Sequence, residues 1–160
     1  HPQIPVYLAA NSGHSLRRGH PQAERGQQNK NAWLAEHFFE GVEPLLEPPS
    51  VSSRIENGKL SVSVTFKPGS VAESGRIWWM YDRPPDGSAG YIRELIPDEQ
   101  WMEMERDEAT NTWQAQIALK PGSKTIDFFS NHRKRIKYKS ASYSSYISSP
   151  YTRIPLKGSE

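Results

Sequence analysis

Ile55-Glu56-Asn57-Gly58-Lys59-Leu60-Ser61-Val62-Ser63-Val64-Thr65-Phe66 decides the fold of most of this chain. Leu60, Val62, Val64 and Phe66 alternate with Ser61, Ser63 and Thr65. A period of two puts every apolar side chain on one face of a strand and every hydroxyl on the other. Asn57-Gly58 precedes that strand, and both residues tolerate the positive φ that a tight hairpin needs. Val51, Ser53 and Ile55 alternate on the near side of the turn, so two antiparallel strands are expected here.

The pattern continues outward. Lys67-Pro68-Gly69-Ser70 turns the chain, and Lys120-Pro121-Gly122-Ser123 repeats the same turn chemistry later. Ile77 to Tyr81 predicts a strand with Ile77, Trp79 and Tyr81 on one face and Trp78 and Met80 on the other. Further strands are expected around Tyr91–Ile96, Trp101–Met104, Trp113–Leu119, Ile126–Phe129 and Tyr151–Leu156, the last at an edge because prolines limit its pairing. Ser140 to Ser149 is only weakly patterned. About seven short strands separated by turns predict a β-sandwich, and the absence of cysteine favours a fibronectin type III version over the disulfide-bonded immunoglobulin one. Trp79 and Trp113 are expected in its core, each filling a large apolar volume. Trp78 is left as a candidate outer surface for a ligand or a neighbouring domain.

Composition narrows the function classes. A hydrophobic fraction of 35% with 13 prolines and 11 glycines suits a sandwich with wet outer faces. A net charge of +2 is too small to call for nucleic acid. No apolar run reaches the ~20 residues that span a bilayer, so no membrane span is expected. With no cysteine there is no disulfide, and the compartment stays open.

The first 48 residues read differently. Pro5 to Ala10 is almost continuously apolar, the pattern of a strand buried on both faces of a parallel sheet. Such a strand needs neighbours that this chain lacks, so a preceding domain is expected. Residues 11–30 read as a loop, and Asn29 or Asn31 as the cap of a helix over Asn31–Glu40. That helix would bury Trp33, Leu34, His37 and Phe38, and Gly41 would end it in the left-handed conformation. Pro44, Pro48 and Pro49 form a semi-rigid linker, which places a domain boundary near residue 48.

Between the apolar run and the helix lies Ala10-Asn11-Ser12-Gly13-His14-Ser15-Leu16. A strand running out into a Gly-His loop, followed by a last helix, is how an α/β-hydrolase presents its catalytic histidine. His14 is therefore the candidate catalytic residue, and an exposed loop histidine is its plainer reading. His20, His37 and His132 carry weaker signals, and none has metal-ligand spacing, so neither metal nor cofactor is expected. Gly87-Ser88-Ala89-Gly90 is not a nucleophile elbow, because it lacks a glycine at the required spacing and a following helix.

The stretch Asn11-Ser12-Gly13-His14-Ser15, the Trp33 helix, Arg76-Ile77-Trp78-Trp79 and Ile126-Asp127-Phe128-Phe129 together resemble the C-terminal region of the PhoPQ-activated pathogenicity-related proteins, a family of the α/β-hydrolase superfamily. The resemblance implies that residues 1–48 are the last strand, His loop and helix of a hydrolase domain, and residues 49–160 an accessory β-sandwich. It implies ester or peptide hydrolysis through an acyl-serine, with His14 as the base. The serine and the triad acid would lie in a missing N-terminal hydrolase domain, so this chain alone would be inactive. A secreted or periplasmic location follows from the resemblance only. The long Arg17–Lys30 loop and the basic run after His132 depart from the family pattern. The rival reading is a non-catalytic sandwich that binds glycan or protein through Trp78, Trp79, Trp101 and Trp113. The basic run Arg133–Lys139 is expected to guard an edge strand with its lysines.

Overall fold

The structure is a computed structural model that describes residues 5–10, 21–84, 96 and 98–156. Among the described residues one α-helix, α1 (Pro21–Phe38), precedes nine strands: β1 (Ser50–Glu56), β2 (Lys59–Thr65), β3 (Ser74–Tyr81), β4 (Trp101–Glu103), β5 (Glu105–Asp107), β6 (Thr112–Ala118), β7 (Thr125–Tyr138), β8 (Ala141–Ser148) and β9 (Thr152–Pro155). The strands form two antiparallel sheets. The first runs β1-β2-β6-β5, and the second β4-β3-β7-β8 with β9 also paired to β7.

Local chemistry accounts for the connections. Glu56 pairs with Lys59 across Asn57 and Gly58, whose φ angles of 50° and 69° make the two-residue hairpin turn. In both Lys-Pro-Gly-Ser turns the glycine has φ near +80° (84° at Gly69, 80° at Gly122), and the serine N–H donates to the lysine carbonyl. Proline followed by a left-handed glycine is the type II arrangement. At Met104 the chain leaves the second sheet for the first, and the Met104 N–H donates to the Gly75 carbonyl at 2.8 Å.

The inner faces meet in one core. Leu60, Val62, Val64 and Phe66 from β2 and its end face Ile77, Trp79, Ile126 and Phe128 from the second sheet. Trp113 and Ile117 fill the same layer, and Met104 closes it. Trp79 and Trp113 are thus core residues, as the alternation predicts. Trp78 points to the other face of β3, where Ala10 and Ile96 cover it.

Two expectations differ from the structure. Pro5 to Ala10 forms no strand; Val6 is half exposed, and the segment runs past the end of β8. Continuous apolar character calls for a sheet on both sides, but here only one strand edge is within reach. The helix starts at Pro21, ten residues earlier than expected. Pro21 fits a first helical turn, where its missing N–H is no loss. The basic run belongs to the long β7: its first half pairs with β3 and β9, and from Lys134 to Tyr138 it pairs with β8 alone, so this half lies at an edge, as expected. Its cations are taken up locally, Arg135 and Arg133 by Glu73, and Lys134 by the Pro44 carbonyl at 2.7 Å.

Helix α1 lies along the free edge of β8. Gln28 Oε1 accepts from the Ser144 N–H at 3.0 Å, Asn29 Oδ1 accepts from the Tyr146 N–H at 3.0 Å, and the Val6 carbonyl accepts from the Ser148 N–H at 2.8 Å. These three alternate donors are the ones an edge strand would otherwise offer to another chain. The small residues Ala32 and Ala35 let the helix approach closely, packed with Ile136, Val42, Leu45 and Tyr143.

Candidate functional site

His14, the single catalytic candidate, lies outside the described residues, as does His20. Ala10, just before that segment, packs under Trp78 and Ile96. Pro21 opens α1 after it.

The described surface beside these two ends has two features. The first is the outer side of α1. Trp33, Leu34, Phe38 and Phe39 are exposed, Phe38 at 70% and Trp33 at 47%. The His37 ring stacks on Trp33 at 4.2 Å, and Phe38 meets Trp33 edge-on at 6.4 Å. The expected burial of Trp33, Leu34, His37 and Phe38 is therefore inverted: the alanines face the sheet and the large apolar side chains face away. A groove of about 720 Å³ runs between Trp33, His37, the Pro44–Pro48 segment and Tyr146.

The second feature is a cavity of about 240 Å³ on the outer face of the second sheet. The strand register builds it. Arg76 of β3 lies opposite Glu103 of β4 and Asn131 of β7, while Ser74 lies opposite Arg133, and Arg133 opposite Tyr146 of β8. Tyr7 and Arg25 close the cavity from the N-terminal segment and α1. Arg76 pairs with Glu103 and stacks on Trp101, its guanidinium carbon 4.2 Å from the ring centroid. Asn131 is fully engaged, donating to the Leu8 carbonyl at 3.1 Å and accepting from the Ser148 hydroxyl at 2.6 Å. Burial raises the Tyr7 phenol above its ordinary value, opposed by a hydrogen bond and the charge of Arg25. Nothing in the sequence alone marks this cavity, because its arginines come from a helix and two strands that only the fold brings together.

Ser130 and His132 are core residues, although His132 also lines the cavity. Ser130 Oγ is 2.8 Å from His132 Nε2, and each residue is 1% exposed. A hydroxyl beside an imidazole is the elementary unit of nucleophile activation. Here it is enclosed: Phe66 and Trp113 meet the imidazole edge-on at 5.0 and 5.7 Å, and Ser130 does not line the cavity. Burial pulls the His132 pKa down to about 3, only partly offset by the Ser74 backbone. The ring is thus a neutral packing element.

The aromatic binding face of the rival reading does not form on the described sandwich. Among the described residues Trp33 is the only exposed tryptophan; Trp78, Trp79 and Trp113 are buried and Trp101 lies half-buried under Arg76. Among the described residues no three acidic or histidine side chains gather into a metal-holding group, and no helix is long and apolar enough to cross a membrane. No family model matches the chain, and no curated protein matches it.

Proposed function

We propose that this chain is the C-terminal portion of a serine hydrolase of the α/β-hydrolase superfamily, with residues 1–48 carrying the base His14 and residues 49–160 forming an accessory immunoglobulin- or fibronectin-like sandwich. The observation that carries the proposal is the outer side of α1. Trp33, Leu34, Phe38 and Phe39 form an uncovered apolar surface on the one α-helix of the described residues. Surfaces of that kind are interaction sites. A hydrolase body preceding this chain would cover it, as the last helix of such a domain packs on its own sheet.

Two further features support the reading. The sheet orders β1-β2-β6-β5 and β4-β3-β7-β8 follow the A-B-E-D and C′-C-F-G arrangement of immunoglobulin-like sandwiches. Trp79 on β3 occupies the place of the buried tryptophan on strand C of that fold. The chemistry follows from the proposed role. The serine oxygen, on the preceding domain, attacks an ester or amide carbonyl while His14 takes its proton. His14 then protonates the leaving alcohol or amine, and water, deprotonated by the same ring, releases the acid from the acyl-serine.

The test is a short-chain acyl ester assay on the protein expressed from the complete reading frame. His14→Ala is expected to lower kcat by about 10⁴-fold or more with KM little changed. Activity within about tenfold of the parent would refute the role of His14. A reading frame with no nucleophile serine ahead of residue 1 would end the hydrolase reading altogether.

A further inference from the structure

We propose that the cavity between Tyr7, Arg25, Arg76, Arg133 and Tyr146 is a binding site for a small oxyanion, a carboxylate or a phosphate. The proposal stands on the described geometry and does not depend on the hydrolase reading.

Two buried donors in the cavity wall have no acceptor. Arg133 Nε and Trp78 Nε1 are both buried, and neither finds a hydrogen-bond partner. A native fold rarely leaves such groups unpaired, because each forfeits its bond to water. Indole N–H and guanidinium only donate, so what completes them is an acceptor. The charges around them favour an anionic one. Three guanidinium groups line the cavity, those of Arg25, Arg76 and Arg133, against the single lining carboxylate of Glu103. Glu103 is committed to Arg76. Glu73 stands 3.6 Å from Arg133, but it lies closer to Arg135, at 3.0 Å, so it meets the Arg133 charge only in part. Arg25 sits 5.9 Å from the centroid of the Tyr146 ring, which holds its guanidinium at the cavity mouth. Planar guanidinium groups suit carboxylate and phosphate oxygens better than they suit a spherical halide.

Size sets an upper limit on the ligand. A cavity of about 240 Å³ has the volume of about eight waters. Inorganic phosphate fits easily, and an acidic monosaccharide is near the ceiling. Trp78 is buried with Ala10 and Ile96, so its contribution is the N–H, not a stacking face.

The experiment uses the 160-residue chain, titrated at constant ionic strength with sodium phosphate, sodium glucuronate and glucose. Binding is followed by calorimetry and by the indole N–H resonance of Trp78. The expected result is saturable binding of at least one oxyanion with a Kd of about 1 mM or tighter. The Trp78 resonance should shift as that N–H gains an acceptor, and glucose should do nothing. Arg133→Gln and Arg25→Gln should each weaken binding by about tenfold or more. Their urea midpoints report whether the fold is kept. Phosphate alone binding would identify the source as a phosphate group, and glucuronate alone as a carboxylate; either supports the site. An indole resonance unmoved by both salts would mean that water alone fills the cavity, and would overturn the proposal. So would affinity unchanged in both folded variants.

Discussion

The stability of this sandwich should fall with acidification well before its carboxylates protonate, and His132 is the cause. The ring is buried between Phe66 and Trp113 with a pKa of about 3, against 6.5 in the unfolded chain. Between those values the unfolded chain binds a proton that the folded chain refuses. Stability is therefore full above pH 6.5 and declines as pH drops toward 3. From pH 7 to pH 5 the loss works out at about 2 kcal/mol, approaching a slope of about 1.4 kcal/mol per unit. The figure is set by the unfolded-state value, because the buried ring stays neutral throughout that range. Among the described residues three carboxylates have lowered values and lose their contribution only at lower pH. Glu73 is lowered by hydrogen bonds and charge from Arg135 despite opposing burial; Asp82 by the Lys124 and Thr125 backbone N–H groups; Asp107 by the Thr110 hydroxyl. Their unfolded values are 4.5, 3.8 and 3.8, below the window in question. Urea unfolding followed by fluorescence of the core residues Trp79 and Trp113 measures the effect at the two pH values. His132→Leu keeps the volume apolar and removes the titration. It should cost about 1–2 kcal/mol at pH 7, by leaving the Ser130 hydroxyl without its ring partner, but it should lose less than about 0.5 kcal/mol on going to pH 5. A variant that loses as much stability as the parent between pH 7 and 5 would refute the assignment.

Two other substitutions probe the same layer and its rim. Gly75→Ala places a Cβ 2.7 Å from Trp113 Cε3 and 2.9 Å from His132 Cε1, so the unfolding free energy should drop by about 1–3 kcal/mol in the same urea assay. Arg153→Met removes the two-pronged partner of Asp127, bonded at 2.7 and 3.1 Å, and leaves a carboxylate that is 2% exposed without a cation. A loss of about 3 kcal/mol is expected, with recovery when Asp127→Asn is added.

The legible parts of the fold are those where local chemistry and tertiary packing agree. Leu60 to Phe66 alternates between core and surface as its pattern predicts, Asn57-Gly58 makes the turn, and β3 presents Ile77, Trp79 and Tyr81 to the core and Trp78 and Met80 to the other side. Helix α1 goes the other way because a large apolar side chain is not always the buried one. A helix that must bring Gln28 and Asn29 to a strand edge needs alanine at the contact, and its tryptophan and phenylalanines are then left outside. The length of β7 is hidden by its charges, since Arg133, Lys134 and Arg135 look like a surface run until Glu73 and the Pro44 carbonyl are brought beside them. Of the candidate site, the outward side of Trp78 can be read from alternation. Its neighbours Tyr7, Arg25 and Arg133 are distant in sequence and share no pattern with it.

The sealing of β8 bears on how this domain can be handled. Its three outward amides end on Gln28, Asn29 and the Val6 carbonyl, all from the part of the chain before the linker. Cutting at the linker and keeping only residues 49–160 would strip that cover and leave a strand open to recruitment by the next molecule. Anyone transplanting the β-rich portion into another protein must carry the helix along, or supply a substitute strip of acceptors in its place.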